Sequence, residues 1–432
     1  MSAPIVGFAG LTHLGLVSSI VVASKGFRVI GYDDDAARVR DIAAGRLPVV
    51  EPDLDELFRA VAGHMTFTSQ PGDLAACDLV YISTDVPTDA RGESELSAIS
   101  ALIMNVIAAL ASEALLVVLC QVPPGFTRRL PLAPERLFYQ VETLVFGRAV
   151  ERATRPERYM VGCADPANAL PKPFATLLGA FGCPIMTMRY ESAELAKIAI
   201  NCCLVASVTV ANTLAELSER IGADWSEIMP ALKLDARIGR NAYLSPGLGL
   251  AGGNLERDLA TITRLAAATG SDASVIAACM ANSHHRRDWA LRVLHTEVLS
   301  RQRDALIGIL GLAYKENTHS TKNSPSLALI SALAPWRIKL YDPVVPASAA
   351  VHPRTEGASN ALAAVKGADA LAIMTPWPAF HDLKPPDLAR AMAGRTVLDP
   401  YRVLDAHDVV AAGLDYFTLG APPQYAKELV HA

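Results

Sequence analysis

The first 33 residues restrict the fold of this chain more than any other stretch. A short apolar strand, Ile5–Ala9, leads into a turn that runs from Gly10 to Gly15. An apolar helical stretch follows, and the next strand, 28–32, ends at the acidic residue Asp33. This order predicts a βαβ dinucleotide-binding unit, in which pyrophosphate lies on the helix N-terminus and the acidic side chain holds the ribose hydroxyls.

Asp33 indicates NAD as the cofactor, because its carboxylate would repel the 2′-phosphate of NADP. Thr12 stands where the motif has its second glycine, so a β-branched side chain lies where the backbone normally approaches the pyrophosphate. Three interpretations stay open: the cofactor shifts slightly, the threonine hydroxyl joins the phosphate contacts, or the unit no longer binds NAD tightly. The predicted cofactor site consists of Gly10, Thr12, His13, Leu14, Gly15, Asp33, Arg38 and Thr84.

The C-terminal third shows the same alternation of strands and helices. A strand is predicted to begin at Ala305, with further strands at 338–342, 370–374 and 396–399 and helices at 325–333, 360–366 and 386–392. A chain of 432 residues is too long for one core. We therefore predict an α/β fold of two Rossmann-like parallel-sheet domains joined by a long central helix. The predicted boundaries are 1–188, 189–300 and 301–432.

Composition excludes several classes of partner. The net charge is −5 and long basic runs are missing, which argues against nucleic acid as a main partner. The longest apolar stretch, 198–213, contains Asn, Ser and Thr and falls short of a convincing membrane span. The seven cysteines lack metal-ligand spacing, so we predict reduced thiols and no metal site. Because nothing N-terminal resembles a signal peptide, we expect a cytoplasmic protein.

The central helix is predicted to begin at Glu191 and to continue to about Ile221. Lys197 and Asn201 are four residues apart and therefore share one face. No charged residue lies between Lys197 and Glu216, so the helix is expected to be largely buried. A buried lysine and amide need polar partners. Alternatively, the lysine snorkels to solvent and the asparagine bonds a neighbouring loop.

A glycine-rich run, 246–258, delivers Asn254, Arg257 and Asp258 to the start of another helical pattern. Its four glycines let the backbone approach a ligand closely, and the three polar side chains could form the floor of a polar pocket. The alternative is an ordinary turn whose charged residues cap and solvate the next helix.

This run resembles the active-site loop of the UDP-glucose/GDP-mannose dehydrogenase family, which reads roughly Gly-Phe-Gly-Gly-Ser-Cys-Phe-Pro-Lys-Asp. The stretch from Gly249 to Asp258 overlays that pattern without a gap. Asp258 matches the family's aspartate, and Arg257 stands in the place of its lysine. Asn254 replaces the nucleophilic cysteine, which is the main departure of this sequence from the family pattern.

The resemblance extends to other predicted catalytic positions. It implies that Lys197 and Asn201 donate hydrogen bonds to the substrate oxygen as that oxygen gains charge. Gln121 replaces a threonine that positions water near the reacting carbon. Glu142 is retained in the segment 139–149, whereas Phe146 replaces the glutamate that activates water. Apart from the resemblance, Phe146 and Leu144 are expected to pack a core.

The remaining predicted contacts also come from the resemblance. Arg237 matches an arginine that reaches a bound sugar across a dimer interface, although by itself it reads as a surface arginine. Lys315 matches a lysine that contacts the nucleotide, and Lys322 replaces an arginine that approaches the cofactor. The predicted substrate-binding residues are Glu142, Arg237, Tyr243, Gly249, Arg257 and Lys315. The resemblance thus implies NAD, a nucleotide sugar bound by the C-terminal domain, and a homodimer that serves carbohydrate biosynthesis.

The substitutions concentrate on the second of two hydride transfers. Alcohol oxidation needs a base and donors for the developing alkoxide, and Asp258, Lys197 and Asn201 are retained for it. Capture of the aldehyde needs a nucleophile, which Asn254 cannot supply. We therefore predict one two-electron oxidation, or a transient oxidation and re-reduction, of a UDP- or GDP-hexose.

Three alternatives remain open. The chain could still produce a nucleotide uronic acid, either from the hydrated aldehyde or through another thiol, for which Cys120, Cys202 and Cys203 are the candidates. It could oxidise a different sugar carbon. It could also bind nucleotide sugars without catalysis.

Overall fold

The computed structural model describes residues 3–87 and 94–427, which form two compact units. The first unit extends to Ile200 and the second begins at Asn201. The border between them therefore falls inside one long helix, Tyr190–Ile221. The predicted division into three domains stays a prediction.

The first unit is built on an eight-stranded sheet. Its strands are β1 (Ile5–Ala9), β2 (Arg28–Tyr32), β3 (Met65–Thr68), β4 (Leu79–Ile82), β5 (Leu115–Val118), β6 (Leu137–Gln140), β7 (Tyr159–Cys163) and β8 (Ile185–Arg189). Their order is β3-β2-β1-β4-β5-β6-β7-β8, and every neighbouring pair is parallel except β6 and β7. The central strands β4, β5 and β6 are buried at every residue, as expected for a sheet covered on both faces.

Helices cover the faces of this sheet. They are α1 (His13–Ser24), α2 (Ala36–Ala43), α3 (Leu54–Val61), α4 (Ser97–Ala109), α5 (Ala149–Thr154), α6 (Lys172–Gly179) and α7 (Tyr190–Ile221). Helix α1 connects β1 to β2, as predicted for the βαβ unit. Because β4 pairs with β1 on the side away from β2, the strand order reverses at β1. Open α/β sheets bind ligands at such a reversal, beyond the carboxyl ends of the strands.

The second unit begins with helices and continues into a six-stranded sheet. The helices are α8 (Trp225–Leu234), α9 (Asn254–Thr269), α10 (Ser274–Arg287), α11 (Trp289–Leu294), α12 (Pro325–Ala332), α13 (Ala361–Val365), α14 (Pro385–Ala391) and α15 (Ala406–Ala411). The strands are β9 (Leu306–Leu310), β10 (Arg337–Tyr341), β11 (Thr355–Gly357), β12 (Ala370–Ile373), β13 (Thr396–Leu398) and β14 (Asp415–Phe417). All are parallel, in the order β11-β10-β9-β12-β13-β14. This repeats the order of the first six strands of the chain and confirms the predicted α/β fold.

Helix α7 confirms the predicted central helix but not its predicted burial. Only 28% of its most apolar 18-residue window is buried. Val210, Leu214, Leu217 and Ile221 are all exposed on it. The absence of charge was a poor guide to burial, because it does not show whether neighbouring elements cover the helix. By length and composition alone α7 could cross a membrane, although the core helix of a soluble protein passes the same test.

Candidate functional site

The turn after β1 places the glycines of the predicted cofactor motif under tight steric limits. Gly10 has a φ of +94°, and a Cβ at this residue would lie 2.7 Å from the Cβ of Thr84. A Cβ at Gly15 would lie 1.8 Å from the carbonyl oxygen of Gly10. Both positions therefore require glycine, and they let a phosphate group approach the N-terminus of α1 closely.

Asp33 follows β2 and is almost fully buried at the same edge of the sheet. Its Oδ2 accepts a hydrogen bond from the backbone N–H of Leu11 at 2.8 Å. The guanidinium of Arg38 donates to both carboxylate oxygens, each at 2.9 Å. The carboxylate is therefore held in one orientation beside the glycine turn, as a ribose-binding residue has to be.

Thr12 connects the cofactor turn to the segment after β4. Its Oγ1 accepts a hydrogen bond from the backbone N–H of Asp85 at 2.8 Å. In return, the Asp85 carboxylate accepts a hydrogen bond from the backbone N–H of Leu14 at 3.3 Å. Thr12, which replaces the second glycine, therefore links the turn after β1 to the segment after β4. Both segments border the predicted cofactor site.

The rings of His13 and Phe146 are in contact beside this turn, with their planes tilted by 32°. The two ring centroids are 4.1 Å apart, and Phe146 is 46% exposed. Nε2 of His13 lies 2.8 Å from a carboxylate oxygen of the buried Glu51, which also accepts a hydrogen bond from the backbone N–H of Gly147 at 2.9 Å. The alternative of core packing is therefore wrong for Phe146, whereas Leu144 packs against the core of the first unit.

A cavity of about 180 Å³ adjoins Asp33 and is lined in part by Gly10, Arg38 and Thr84. The first unit therefore brings together the carboxylate of Asp33, which is predicted to bind ribose, the glycine cradle and the predicted neighbouring side chains. NAD fits this set, because the cradle has no Cβ where pyrophosphate would lie and the carboxylate can accept hydrogen bonds from ribose hydroxyls.

Lys197 is paired with Glu142 in the first unit. Its Nζ lies 2.9 Å from a Glu142 carboxylate oxygen, and both side chains are mostly buried. The backbone N–H of Leu144 donates to the other carboxylate oxygen. An ammonium group that is mostly removed from water needs such a partner. The alternative in which Lys197 snorkels to solvent is therefore wrong.

Gln121 follows β5 and is half-buried. The loop beyond it is anchored on Glu194 of α7, whose carboxylate accepts hydrogen bonds from the backbone N–H groups of Gly125 and Thr127 at 2.5 and 2.8 Å. Burial raises the pKa of Glu194, and these hydrogen bonds oppose the shift. Sequence reasoning missed both Glu194 and Glu51. No local signal distinguishes Glu194, because it lies between Glu191 and Lys197 in the charged first turns of α7.

The first turn of α9 presents three predicted site residues in the second unit. Asn254 is the first helical residue and is exposed, whereas Asp258, one turn later, is 1% exposed. The side-chain amide of Asn201 donates a hydrogen bond to Oδ2 of Asp258 at 2.5 Å. Nε of the buried Arg257 lies 3.6 Å from Oδ1 of Asp258. Asn201, Arg257 and Asp258 therefore form one polar cluster, and the alternative of an ordinary solvated turn is wrong.

The cysteines considered as substitute nucleophiles are poorly suited to that role. Burial, together with the charge of Asp258, raises the pKa of the Cys202 thiol to about 11. Burial also raises the pKa of Cys120, which is fully buried in the first unit. Both thiols are therefore protonated at neutral pH, and it is the thiolate that attacks. Cys203 is exposed on α7.

The glycine loop before α9 is held by the turn that contains Lys322. Gly249 has a φ of +78°, and a Cβ there would lie 2.4 Å from a backbone carbonyl oxygen of α10. The Gly252 N–H donates to the carbonyl oxygen of Lys322 at 3.0 Å, and the Gly252 carbonyl accepts from the Asn323 side chain at 2.9 Å. A Cβ at Gly253 would lie 2.9 Å from Cε of Lys322. The loop conformation therefore depends on glycine and on this turn.

Three other predicted residues have the following surroundings. The Arg237 side chain is exposed and forms an ion pair with Asp235 at 2.6 Å. Tyr243 is exposed as well. Nζ of Lys315 lies 5.7 Å from the ring centroid of Tyr314. The substrate contacts of Arg237, Tyr243 and Lys315, and the cofactor contact of Lys322, stay predictions.

The sheet of the second unit repeats the turn geometry of the first. Gly311 has a φ of +94°, and a Cβ there would lie 2.4 Å from the Cβ of Thr375. Asp342 accepts a hydrogen bond from the backbone N–H of Leu312 at 2.6 Å. Here, however, the indole N–H of Trp377 donates to the same carboxylate oxygen at 3.0 Å. Asp342, like Asp33, therefore accepts hydrogen bonds from protein donors, and it differs in that one of them is an indole N–H.

Three family models match successive parts of the chain. The models describe the UDP-glucose/GDP-mannose dehydrogenase family: its NAD binding domain matches residues 5–176, its central domain 191–284 and its UDP binding domain 308–406.

Full-length relatives and solved structures agree with these matches. The UDP-glucose 6-dehydrogenase TuaD of Bacillus subtilis is 28% identical over 96% of this chain and 92% of its own length. The UDP-glucose 6-dehydrogenase of Pseudomonas aeruginosa is 27% identical, with 96% of each chain covered. The structure of a UDP-glucose dehydrogenase from Pyrobaculum islandicum superposes with a TM-score of 0.84 at 25% identity, covering 94% of this chain and 96% of that one.

Proposed function

From the premise that this chain belongs to the UDP-glucose/GDP-mannose dehydrogenase family, we propose that it oxidises one hydroxyl group of a UDP-linked hexose in a single two-electron step. The chain is an NAD-dependent oxidoreductase that acts on a CH–OH group of a nucleotide sugar. The number of hydride transfers in each turnover is the part that we propose here.

The observation that carries this proposal is that the residue at the start of α9 is an asparagine. Asn254 occupies the first helical position, and Asp258 lies one turn further along the same helix. The carboxamide of asparagine is not a nucleophile, so it forms no covalent adduct with an aldehyde. Without that adduct the carbonyl compound made in the first oxidation leaves the site as the product.

The groups that the first oxidation needs are present. Oxidation of the carbinol removes a proton from oxygen and a hydride from carbon, and yields a carbonyl, NADH and a proton. Bound NAD supplies the hydride acceptor. In our proposal the Asp258 carboxylate accepts the hydroxyl proton, and the hydrogen bond from Asn201 orients that carboxylate. The ammonium group of Lys197 stabilises the developing alkoxide.

The environment of Phe146 supports a reaction that ends at this point. Its ring contacts the ring of His13, beside the turn that holds the predicted cofactor residues. A phenyl ring cannot take a proton from water, so this position offers no base for hydrolysis of an acyl intermediate. A transient oxidation, followed by return of the hydride to the same sugar, uses the same groups and remains the closest variant of the proposal.

The stoichiometry of the reaction tests the proposal directly. Purified protein is incubated with NAD and a panel of nucleotide sugars, NADH is counted per sugar consumed, and the product is weighed by mass spectrometry. One NADH with an aldehyde or ketone product supports the single step. Two NADH with a carboxylate product would refute it. An isomer formed without net NADH would identify transient oxidation.

We also propose that the chain forms a homodimer through α7. Val210, Leu214, Leu217 and Ile221 are exposed and follow one another at intervals of four, three and four residues, which places them on one face of the helix. A second copy would present the same stripe, so a two-fold interface could bury both. Light scattering should give a dimer, and Leu214→Glu should give a monomer. A monomeric parent protein would refute the proposal.

A cytoplasmic location is the last part of the proposal. All seven cysteines are free thiols, and three of them lie at intermediate or exposed positions. Reduced thiols are typical of the cytoplasm, where glutathione and thioredoxin keep them reduced. Fractionation of cells that express the tagged protein tests the location.

A further inference from the structure

The second unit contains a cavity that the proposed reaction does not use. Its volume is about 460 Å³, within the range of small-molecule sites. Helices α9, α10 and α12 contribute side chains to it, together with the turn that precedes α12. The lining residues that matter here are Glu256, His284, Arg287, Thr321, Asn323 and Leu327.

The cavity lies on the opposite side of α9 from the catalytic carboxylate. Glu256 precedes Asp258 by two residues, so the two side chains leave the helix about 200° apart. Asp258 is directed toward Asn201 and accepts its hydrogen bond, whereas Glu256 lines the cavity. A molecule in the cavity would therefore be separated from Asp258 by the helix itself.

Basic groups outnumber acidic ones at the cavity. His284 and Arg287 are three residues apart on α10 and share one face. Nε of Arg287 also pairs with Asp288 at 3.1 Å, while the imidazole of His284 makes no hydrogen bond within the part of the chain that the structure describes. Lys322 adds a further positive charge nearby, because it acts electrostatically on Glu256. The N–H donors of His284 and Arg287 are suited to the oxygen atoms of an anionic group such as phosphate.

Glu256 is the only acidic side chain among the described residues that line the cavity. The amide of Asn323 donates a hydrogen bond to its carboxylate. Burial raises the pKa of Glu256, against the opposing effect of His284 and Arg287. The carboxylate and the hydroxyl of Thr321 are acceptors suited to hydroxyl groups, and Leu327 supplies apolar surface.

We propose that this cavity binds a small phosphorylated sugar, whose phosphate lies against His284 and Arg287 and whose hydroxyl groups donate to Glu256 and Thr321. The Asn323 amide contacts both Glu256 and the carbonyl oxygen of Gly252, so occupation of the cavity stabilises the glycine loop that precedes α9. Within the second unit the cavity and Asp258 lie on different sides of α9, and the existence of the site does not depend on how many hydrides the enzyme transfers.

Titration calorimetry with glucose 6-phosphate and with inorganic phosphate tests the proposal. Saturating NAD and UDP are present throughout. They occupy the two nucleotide sites, so the probes cannot bind there through their phosphate groups. We expect glucose 6-phosphate to bind at one site per chain, with inorganic phosphate binding more weakly. Arg287→Gln and His284→Gln should each lower the affinity for glucose 6-phosphate by about tenfold, as expected for the loss of one charge-assisted contact.

Arg303→Gln is the matched control, since Arg303 is exposed in the same unit and does not line the cavity. It should leave the affinity unchanged. The proposal is overturned by the absence of binding, or by equal affinity in the parent protein and both cavity variants. Equal affinity for glucose 6-phosphate and inorganic phosphate would also overturn it, because the hydroxyl contacts would then contribute nothing.

Discussion

Asn201 donates a hydrogen bond to the carboxylate of Asp258 over 2.5 Å, although the two residues are 57 positions apart in the chain. The contact joins α7 to the first turn of α9 within the second unit. It orients an almost fully buried carboxylate, and Arg257 provides a positive charge on its other oxygen. A carboxylate held in this way is suited to accept a proton from a bound hydroxyl group.

Asp258→Asn should lower kcat by about 10²- to 10⁴-fold, because the amide has the same shape but cannot take the hydroxyl proton. Nucleotide-sugar affinity should change little, and calorimetry measures it separately from NADH formation. Asp408→Asn, at an exposed position of α15, should retain full activity. A kcat within threefold of the parent value in Asp258→Asn would exclude this carboxylate as the base.

Asn254→Cys should restore covalent capture of the carbonyl product. A thiol at the first residue of α9 lies at a helix N-terminus, where the helix dipole favours the thiolate. With NAD and substrate, intact-mass spectrometry should detect an adduct of the sugar on the protein. Asn254→Ser should give no adduct. If the cysteine variant also remained unmodified, residue 254 would not be adjacent to the reacting carbon.

Thr12→Val should raise KM for NAD by about tenfold, while Thr12→Ser should stay within about twofold of the parent value. Valine keeps the shape of the side chain but cannot accept the hydrogen bond from the backbone N–H of Asp85. Loss of one such hydrogen bond costs about 0.5–1.5 kcal/mol, and the upper end of this range corresponds to about tenfold. Steady-state kinetics with varied NAD measures the effect, and equal KM values in the two variants would contradict the role of the hydroxyl.

Arg286→Met should destabilise the second unit by about 3–5 kcal/mol. Arg286 is fully buried, and its guanidinium lies 2.8 Å from Glu219 and 3.4 Å from Glu216. Methionine would leave both carboxylates without their buried cation. Arg220→Met removes an exposed partner of Glu216 and should cost less than about 1 kcal/mol. Urea unfolding compares the two variants, and similar losses would contradict the prediction.

The ion pair between Glu191 and Arg128 should make a small, pH-dependent contribution to stability. The hydrogen bonds from Arg128 lower the pKa of Glu191 from 4.5 to about 2. A lowered carboxyl pKa stabilises the folded state above pH 4.5, and this contribution disappears as the pH falls toward 2. Both side chains are more than a third exposed, so solvent screening keeps the effect below about 1 kcal/mol.

Glu191→Gln tests this contribution through Tm measured from pH 7 to pH 2. The variant should have the lower Tm at neutral pH, and the difference should shrink between pH 4.5 and 2. Gln70→Glu, which alters an exposed residue outside the pair, serves as a control for the general effect of charge on Tm. A difference that stayed constant across this range would assign the loss to packing and not to the charge of Glu191.

The sequence predicts those elements whose conformation depends on residues close together in the chain. The glycines at 10 and 15 and the acid at 33 are placed by backbone sterics and strand length, and the structure keeps all three in the predicted arrangement. The first turn of α9 and the course of α7 also follow from short-range patterns. The extent to which α7 is buried did not follow from the sequence, because a run of uncharged residues does not reveal which elements pack beside the helix.

Contacts between distant segments were decided by tertiary structure alone. Asp33 and Asp342 end equivalent strands in similar local sequences, yet Asp33 pairs with Arg38 five residues away, whereas Asp342 accepts from an indole N–H 35 residues further along. Glu51 and Glu194 anchor loops 96 and 69 residues away, and no local pattern predicts their partners. The sequence determines backbone conformation through interactions between near neighbours. The partners of buried polar groups depend on which segments the whole fold brings together, and so only the tertiary structure decides them.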